Sequence, residues 1–239
     1  MIWLRSLIYA LCVFVITPVY SIISILTFPF HPITRYRIIS YWARLNLFLV
    51  RVICGLKYKI IGAENIPDTP TIVLSKHQSA WETMAFQLIF PPLVWVLKRE
   101  LLRIPFFGWG LAMTSPIAID RAAGKEALKQ IVDQGKQRLA LGFWVVVFPE
   151  GTRVKPGEKG KYGIGGAWLA THTGAPVLPV AHNAGEYWGK NAFLRYPGTI
   201  TVSIGKVIDT TRIKTSELNQ QVEEWIESEM VRIGSRTEE

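Results

Sequence analysis

An almost unbroken apolar run occupies residues 6–30, with no charged residue between Arg5 and Arg35. Crossing a bilayer takes about 20 residues, so the run predicts a membrane segment. A secretory signal peptide is the alternative, because Arg5 precedes the apolar stretch. However, Phe28-Pro29-Phe30-His31 offers no small-residue cleavage site, and the run is longer than the usual apolar core of such peptides. We therefore expect a retained membrane segment.

Residues 33–54 have a different pattern, in which Arg37, Arg44 and Arg51 recur every seven residues and so share one helical stripe. Apolar side chains fill most of the rest. This predicts an amphipathic helix at the headgroup boundary, although an ordinary helix with one solvated face fits the same pattern. Arg35 follows the first apolar run closely, which places residues 35 onward in the cytoplasm. A helical pair that enters one leaflet and returns is also compatible with these residues.

From residue 57 onward, short β-branched segments alternate with segments of helical periodicity. The predicted strands are 71–75, 94–97, 117–119, 144–148, 177–181 and 200–206, and the predicted helices lie near 82–90, 101–112, 124–141, 165–173 and 215–232. This alternation predicts an α/β fold with a largely parallel sheet flanked by helices. We divide the chain into an N-terminal membrane-associated two-helix segment, residues 1–56, and an α/β domain, residues 57–239.

The charge of the chain indicates which classes of molecule it could bind. The chain of 239 residues carries 27 Lys and Arg against 18 Asp and Glu, a formal net charge of +9. A basic balance attracts nucleic acid, anionic lipid or phosphorylated substrates. We favour membrane phospholipid and expect no nucleic acid partner, because basic residues recur beside apolar helices rather than in runs. The two cysteines, Cys12 and Cys54, form no CxxC pair, which is compatible with a reducing compartment.

His77 follows the predicted strand 71–75, at the edge of an open α/β sheet where ligands usually bind. A neutral imidazole accepts a proton near neutral pH, and Glu82, five residues on, could pair with it and fix its tautomer. The sequence Ser79-Ala80-Trp81-Glu82 also matches a capping box, in which Glu82 only accepts a backbone N–H. The two roles are compatible.

The segment Phe148-Pro149-Glu150-Gly151-Thr152-Arg153 follows another buried strand. If the strands are parallel, it leaves the sheet on the same side as His77. Gly151 allows close approach of the backbone to a ligand, Arg153 can bind a phosphate bidentately, and Glu150 suits hydroxyl binding. An ordinary turn with solvated charges is the alternative.

Basic residues end three successive predicted strands, at Lys98, Arg121 and Arg153. On the same sheet edge as His77 they would form a dianion site. No HExxH motif or His/Cys spacing indicates a metal, and GxSxG, GxGxxG and GxxxxGK[ST] are absent from the sequence. We therefore expect neither a metal nor a bound cofactor.

Four blocks resemble, in order and rough spacing, those of the bacterial glycerolipid acyltransferase family. They are His77-x4-Glu82, Ile119-Asp120-Arg121, Phe148–Arg153 and Val177-Leu178-Pro179-Val180. The resemblance is closest to the members that convert lysophosphatidic acid to phosphatidic acid. It implies a transferase of phospholipid biosynthesis at the bacterial inner membrane, with its active site facing the cytoplasm. The acyl donor would be a thioester of coenzyme A or of acyl carrier protein.

The resemblance also implies roles for single residues. His77 would be the general base, with Glu82 as its acidic partner, and the acceptor hydroxyl would attack the thioester directly. Glu150, Gly151, Thr152 and Arg153 would bind the glycerol phosphate with help from Lys98 and Arg121. The block at 177–180 would belong to the acyl-donor side or to the supporting core.

Two positions depart from the family pattern. The family's usual motif is His-x4-Asp, whereas this chain has Glu82, and the residue before the histidine is commonly Asn, whereas here it is Lys76. Either departure is compatible with a different acceptor, such as an ornithine-lipid precursor or another lysophospholipid. Thioester hydrolysis and a membrane-anchored module that binds anionic lipid are the other hypotheses.

Overall fold

The computed structural model describes residues 1–234, and the side chain of Arg121 also lies outside the described part of the chain. The elements in chain order are α1 (Ile2–Leu26), α2 (Pro32–Ile39), α3 (Tyr41–Cys54), β1 (Leu56–Ile61), β2 (Ile72–Ser75), α4 (Trp81–Ile89), β3 (Leu93–Lys98), α5 (Phe107–Ala112), β4 (Ile117–Ile119), α6 (Lys125–Ala140), β5 (Trp144–Val147), α7 (Gly165–Thr173), β6 (Val177–His182), α8 (Ala184–Tyr187), β7 (Gly198–Ile204) and α9 (Thr215–Ile233).

The described strands form one sheet of seven, in the order β1-β7-β6-β2-β5-β3-β4. Every neighbouring pair is parallel except β6 and β7, which run antiparallel. The prediction of a largely parallel sheet flanked by helices is therefore confirmed. Strands β2, β5 and β6 lie in the middle of the sheet and are buried along their whole length, as their continuous apolar sequences require.

Alternation along the central strands divides their side chains between two helical layers. Leu74 of β2 and Val147 of β5 lie against Gly166 of α7, which has no side chain to hold them away. On the opposite face, Phe86 of α4 stacks on Trp95 of β3 with ring centroids 6.2 Å apart. The sheet is therefore covered on both faces, and functional side chains can emerge only at its edges.

The N-terminal helices share the main hydrophobic core. Leu47, Val50 and Cys54 of α3 are buried in the same cluster as the central strands, and so is Tyr9 of α1. The predicted division at residue 56 thus separates segments that pack together. Arg37, Arg44 and Arg51 are all exposed, as the stripe predicted.

Helix α1 is the one described helix that is long and apolar enough to cross a membrane. Its most hydrophobic window has a mean hydropathy of 2.2, and only 17% of that window is buried in the protein. Large apolar side chains such as Phe14 and Val15 therefore stand exposed along it, at 77% and 64%. This exposure is compatible with a membrane around the helix.

Two element predictions were wrong in detail, and one strand was not predicted. The single helix predicted at 33–54 is two helices, α2 and α3, which meet at Ser40. The helix predicted at 101–112 is a 3₁₀ turn, Arg99–Arg103, followed by α5, because Pro105 lacks the N–H that a continuous helix needs. Strand β1 was missed because its lysines and exposed side chains hide the pattern of a buried strand.

Candidate active site

The two loops that carry the candidate residues leave the same edge of the sheet. Strands β2 and β5 are parallel neighbours, with Leu74 opposite Val147. His77 lies just beyond the carboxyl end of β2, and Glu150 lies just beyond that of β5. The predicted juxtaposition of the two sequence blocks is therefore a direct consequence of the strand register.

His77 and Glu82 form a close pair. The Nδ1 atom of His77 lies 2.8 Å from Oε1 of Glu82, and the Glu82 side chain is fully buried. The same oxygen accepts the backbone N–H groups of Gln78 and Ser79, at 3.0 and 2.9 Å. Glu82 thus holds the imidazole and the loop that precedes α4 at once, so the contacts expected from both hypotheses occur together.

The environment of Glu82 favours its ionised form. Burial opposes the charge, but His182, His77 and the amide of Ser79 outweigh it, and the pKa of the Glu82 carboxyl lies below its usual range. A charged carboxylate accepts the Nδ1–H of His77, so the neutral ring carries its lone pair on Nε2. The carboxylate would also stabilise the imidazolium that forms after proton uptake.

The orientation of the His77 ring is fixed by stacking as well as by hydrogen bonding. The ring lies 3.9 Å from that of Phe148 with an interplanar angle of 10°. Phe148 in turn stacks on Trp95, at 5.6 Å between centroids. The His77 side chain remains 15% exposed, so a reacting group can reach it. A fixed, accessible imidazole with a carboxylate partner is the arrangement of a general base.

The backbone of His77 is held on both sides by the loop that follows β5. Its N–H donates to Oε2 of Glu150 at 3.0 Å, and its carbonyl accepts the N–H of Val154 at 2.9 Å. Gly151 adopts a φ of +65°, a left-handed conformation that glycine tolerates best. The two sequence blocks therefore form one hydrogen-bonded unit.

Both carboxylate oxygens of Glu150 are engaged by the protein itself. Besides the His77 amide, Glu150 accepts Nζ of Lys76 at 2.8 Å and the N–H of Gly160 at 3.2 Å. Its side chain is completely buried. These contacts show that Glu150 stabilises the His77 loop, while the substrate-binding role expected for it stays a prediction.

Cations stand along the same sheet edge. Arg153 is partly exposed beside Val154, and Lys98 is exposed at the end of β3, the neighbour of β5. Thr152 is exposed and accepts a hydrogen bond from Lys190 at 3.3 Å. The backbone of Arg121 follows β4 in a 3₁₀ turn, while its side chain lies outside the described residues. An edge of this kind suits a phosphorylated ligand.

Sequence reasoning missed two supporting residues. His182, at the end of β6, is buried and lies 2.9 Å through Nε2 from the carbonyl of Lys76, while Nδ1 accepts the N–H of Ala184. Burial holds the pKa of His182 below its usual value, which is consistent with this neutral tautomer. Lys190 lies in a loop far along the chain, and no motif marks it.

The described residues contain no cluster of three or more His, Cys, Asp or Glu that could hold a metal.

The covered α/β sheet, the histidine–carboxylate pair and the cations at the sheet edge together fit the class of group-transfer enzymes. A sequence model of the family described as acyltransferase matches residues 57–183. The chain is 46% identical over 236 residues to a 1-acyl-sn-glycerol-3-phosphate acyltransferase of Pseudomonas aeruginosa, covering 97% of this chain and 92% of that protein. It therefore belongs to the acyltransferase family, as the four blocks indicated.

A more distant relative and a solved structure are also similar to this chain, the first in sequence and the second in fold. A 1-acyl-sn-glycerol-3-phosphate acyltransferase of Saccharomyces cerevisiae is 30% identical over 208 residues, which are 80% of this chain and 66% of the yeast protein. The solved structure of the 1-acyl-sn-glycerophosphate (LPA) acyltransferase PlsC from Thermotoga maritima aligns with a TM-score of 0.78 at 22% identity. That alignment covers 100% of both chains and shows a shared fold.

The lowered pKa of Glu82 makes a prediction about stability at acid pH. Its folded-state pKa lies below the unfolded value of about 4.3, so ionised Glu82 stabilises the fold above that value. This contribution is lost as pH falls through the lower folded-state pKa. We expect the stability difference between wild type and Glu82→Gln to be constant from about pH 7 to 5 and to shrink below about 4. Thermal unfolding in detergent would measure it, and an equal difference at all pH values would contradict the pairing.

The contacts of Glu150 predict a change in turnover rather than in substrate affinity. In Glu150→Gln, the His77 loop loses its charged anchor and Lys76 loses one of its two carboxylates. We expect kcat to fall about tenfold or more, because small displacements of a catalytic group are costly, with KM for the acceptor within twofold. Steady-state kinetics would measure both. A large rise in KM for the acceptor at constant kcat would instead support the substrate-binding role predicted for Glu150.

Proposed function

We propose that this protein transfers a fatty acyl group from an acyl thioester to the free hydroxyl of 1-acyl-sn-glycerol-3-phosphate, giving phosphatidic acid. The single observation that carries the proposal is the 2.8 Å pair of His77 and Glu82 at an edge lined by exposed cations. His77 would remove the proton of the acceptor hydroxyl, and the cations at the sheet edge would bind the phosphate of the acceptor. The names of the relatives in Pseudomonas and yeast support the same reaction.

The proposed reaction needs a base for the acceptor hydroxyl and passes through a negatively charged tetrahedral intermediate. Nε2 of His77 takes the proton of the acceptor hydroxyl while its oxygen attacks the thioester carbonyl. The tetrahedral intermediate collapses, the C–S bond breaks, and the thiolate leaves with the proton that the imidazolium returns. A thiolate is a good leaving group, so no acyl-enzyme intermediate is required. The ion pair with Glu82 stabilises the imidazolium between the two proton transfers.

The donor in this proposal is a thioester of coenzyme A or of acyl carrier protein, and it acts as a co-substrate. No bound metal or organic cofactor is part of the scheme. In either donor the acyl group hangs from a phosphopantetheine arm, and both carriers are acidic. The net charge of +9 suits both.

We also propose that the protein works at the bacterial inner membrane with its active site towards the cytoplasm. The exposed apolar surface of α1 supports membrane contact. Phe106, Phe107 and Trp109 extend that surface, being 44%, 40% and 46% exposed. Ser21 of α1 donates a hydrogen bond to the carbonyl of Phe106, so the two apolar surfaces are joined. An exposed tryptophan such as Trp109 is typical of the membrane interface, and the two phenylalanines add apolar surface for lipid contact.

The function predicts a simple assay. Purified protein with lysophosphatidic acid and each acyl thioester should form phosphatidic acid, and His77→Ala should lower the rate by at least about 100-fold, the usual contribution of a general base. Labelled phosphatidic acid would be quantified after lipid extraction. Val231→Ser on the exposed face of α9 is a matched control that should keep the wild-type rate.

Arg153→Ala in the same assay tests the identity of the acceptor. Loss of a charge-assisted contact to phosphate should raise KM for lysophosphatidic acid about tenfold or more. An unchanged KM, together with faster acylation of a lysolipid that lacks the terminal phosphate, would favour the alternative acceptor. Release of free fatty acid without any acceptor would instead identify thioester hydrolysis.

The proposed membrane surface makes a separate prediction. Replacing Phe106, Phe107 and Trp109 by serine should raise KM about tenfold for lysophosphatidic acid embedded in anionic vesicles, because less apolar surface enters the lipid. KM for a short-chain acceptor that dissolves as a monomer should stay within twofold. Equal effects on both acceptors would contradict membrane contact at this surface, and Val231→Ser is again the control.

A further inference from the structure

Lys76, the residue before the catalytic histidine, is buried, with only 1% of its side chain exposed. Its ammonium group meets three acceptors: Oε1 of Glu150 at 2.8 Å, Oε1 of Glu227 at 2.8 Å and the carbonyl of Glu158 at 3.2 Å. An ammonium has three N–H donors, so each is satisfied. A lysine is rarely buried to this degree without such pairing.

The second carboxylate of this cluster comes from the C-terminal helix. Glu227 lies on α9, 151 residues after Lys76, and its Oε1 also accepts the hydroxyl of Tyr162 at 2.7 Å. Its side chain is 22% exposed. One oxygen of Glu227 thus joins the histidine loop to the segment that carries Tyr162.

The same helix holds that segment at a second point. Glu223, one helical turn before Glu227, forms an ion pair with Lys159 at 2.7 Å. Between the two pairs lies Gly160, whose N–H donates to Glu150. Residues 158–162 are therefore held between α9 on one side and Lys76 with Glu150 on the other.

We propose that Lys76 and Glu227 are positioning residues for the acyl transfer, through which α9 fixes the geometry of His77. This inference rests on the proposed function. The path is continuous: Glu227 holds Lys76, Lys76 holds Oε1 of Glu150, and Oε2 of Glu150 holds the amide of His77. Neither residue touches the reacting atoms in this scheme.

The charges explain why both carboxylates are needed. Glu150 alone would neutralise Lys76, but it must divide its oxygens between Lys76, Gly160 and His77. Glu227 supplies a second acceptor, which draws the ammonium towards α9 and limits its movement. Without Glu227, Lys76 and Glu150 remain paired, so the fold should survive while the position of Glu150 becomes less defined.

The test compares two substitutions on the same helix. Glu227→Gln keeps the side-chain shape but removes the charge that faces Lys76. Glu224→Gln removes a charge on the same helix whose Oε1 only accepts a hydrogen bond from the exposed Gln220 side chain. We expect Glu227→Gln to lower kcat about tenfold, with KM for donor and acceptor within twofold, since a slightly misplaced base slows the chemical step. Tyr162→Phe should lower kcat about threefold, and Glu224→Gln should match wild type.

Two further measurements separate positioning from mere stabilisation. Circular dichroism and the fraction of folded protein at the assay temperature should match wild type in every variant. Glu227→Asp, which keeps the charge, should recover part of the lost kcat. A wild-type kcat in Glu227→Gln, or a loss of activity that only follows the folded fraction, would overturn the proposal. A rise in donor KM with unchanged kcat would overturn it as well.

A spectroscopic readout makes the test independent of substrate identity. Nitrogen-15 histidine spectra contain four imidazoles, and the signal of His77 is assigned by its loss in His77→Ala. We expect Glu227→Gln to shift the His77 signal and Glu224→Gln to leave it in place. If the signal shifts while no acyl transfer is found with any acceptor, the proposed function fails and the positioning contact stands. An unshifted signal would refute the contact even in an active enzyme.

Discussion

The parallel pairing of β2 with β5 is the constraint on which the site depends. It aligns Leu74 with Val147 and so brings the ends of both strands to one edge of the sheet. The loops that follow then complete each other: His77 gives its N–H to Glu150 and its carbonyl to Val154. A slip in this register would separate the base from the loop that orients it, although every side chain would still be present.

Charged groups divide into two sets according to their burial. The buried set, Lys76, Glu150 and Glu82, is paired with other protein groups, because an unpaired charge inside the fold would be costly. Of their side-chain polar atoms, only Oε2 of Glu82 has no hydrogen-bond partner in the described part of the chain. The second set consists of Lys98, which is exposed, and Arg153, which is partly exposed, and both keep their charge accessible at the edge. Burial therefore distinguishes residues that build the site from residues that can meet a ligand, and Glu150 belongs to the first group.

Most of the fold and the central pair could be predicted from sequence, because both rest on local patterns. Continuous apolar strands, helical periodicity and the spacing of His77 and Glu82 are visible along the chain. Glu227 could not be predicted, since its contact with Lys76 joins positions 151 residues apart and depends on how α9 packs. The contacts of Glu150 could not be predicted for a related reason: the sequence reveals a carboxylate at this position but not that its oxygens accept hydrogen bonds from Lys76, Gly160 and His77. The exposed position of Phe106 could not be predicted either, because the helix expected at 101–112 is interrupted at Pro105 and Phe106 precedes the first residue of α5.

Selectivity for a lipid hydroxyl cannot come from the base. Nε2 of His77 would take a proton from water as readily as from an alcohol, and water is always abundant. The proposed enzyme must therefore favour its acceptor by position. Cations that hold the acceptor phosphate fix the hydroxyl near the imidazole, and such fixation raises effective concentration to about 10⁵ M or more in favourable cases. An apolar surface that keeps the edge against the membrane would act in the same direction, because it supplies lipid and excludes water. In this proposal, the apolar surface of α1, the cations at the sheet edge and the fixed ring of His77 all serve to place the lipid hydroxyl beside Nε2.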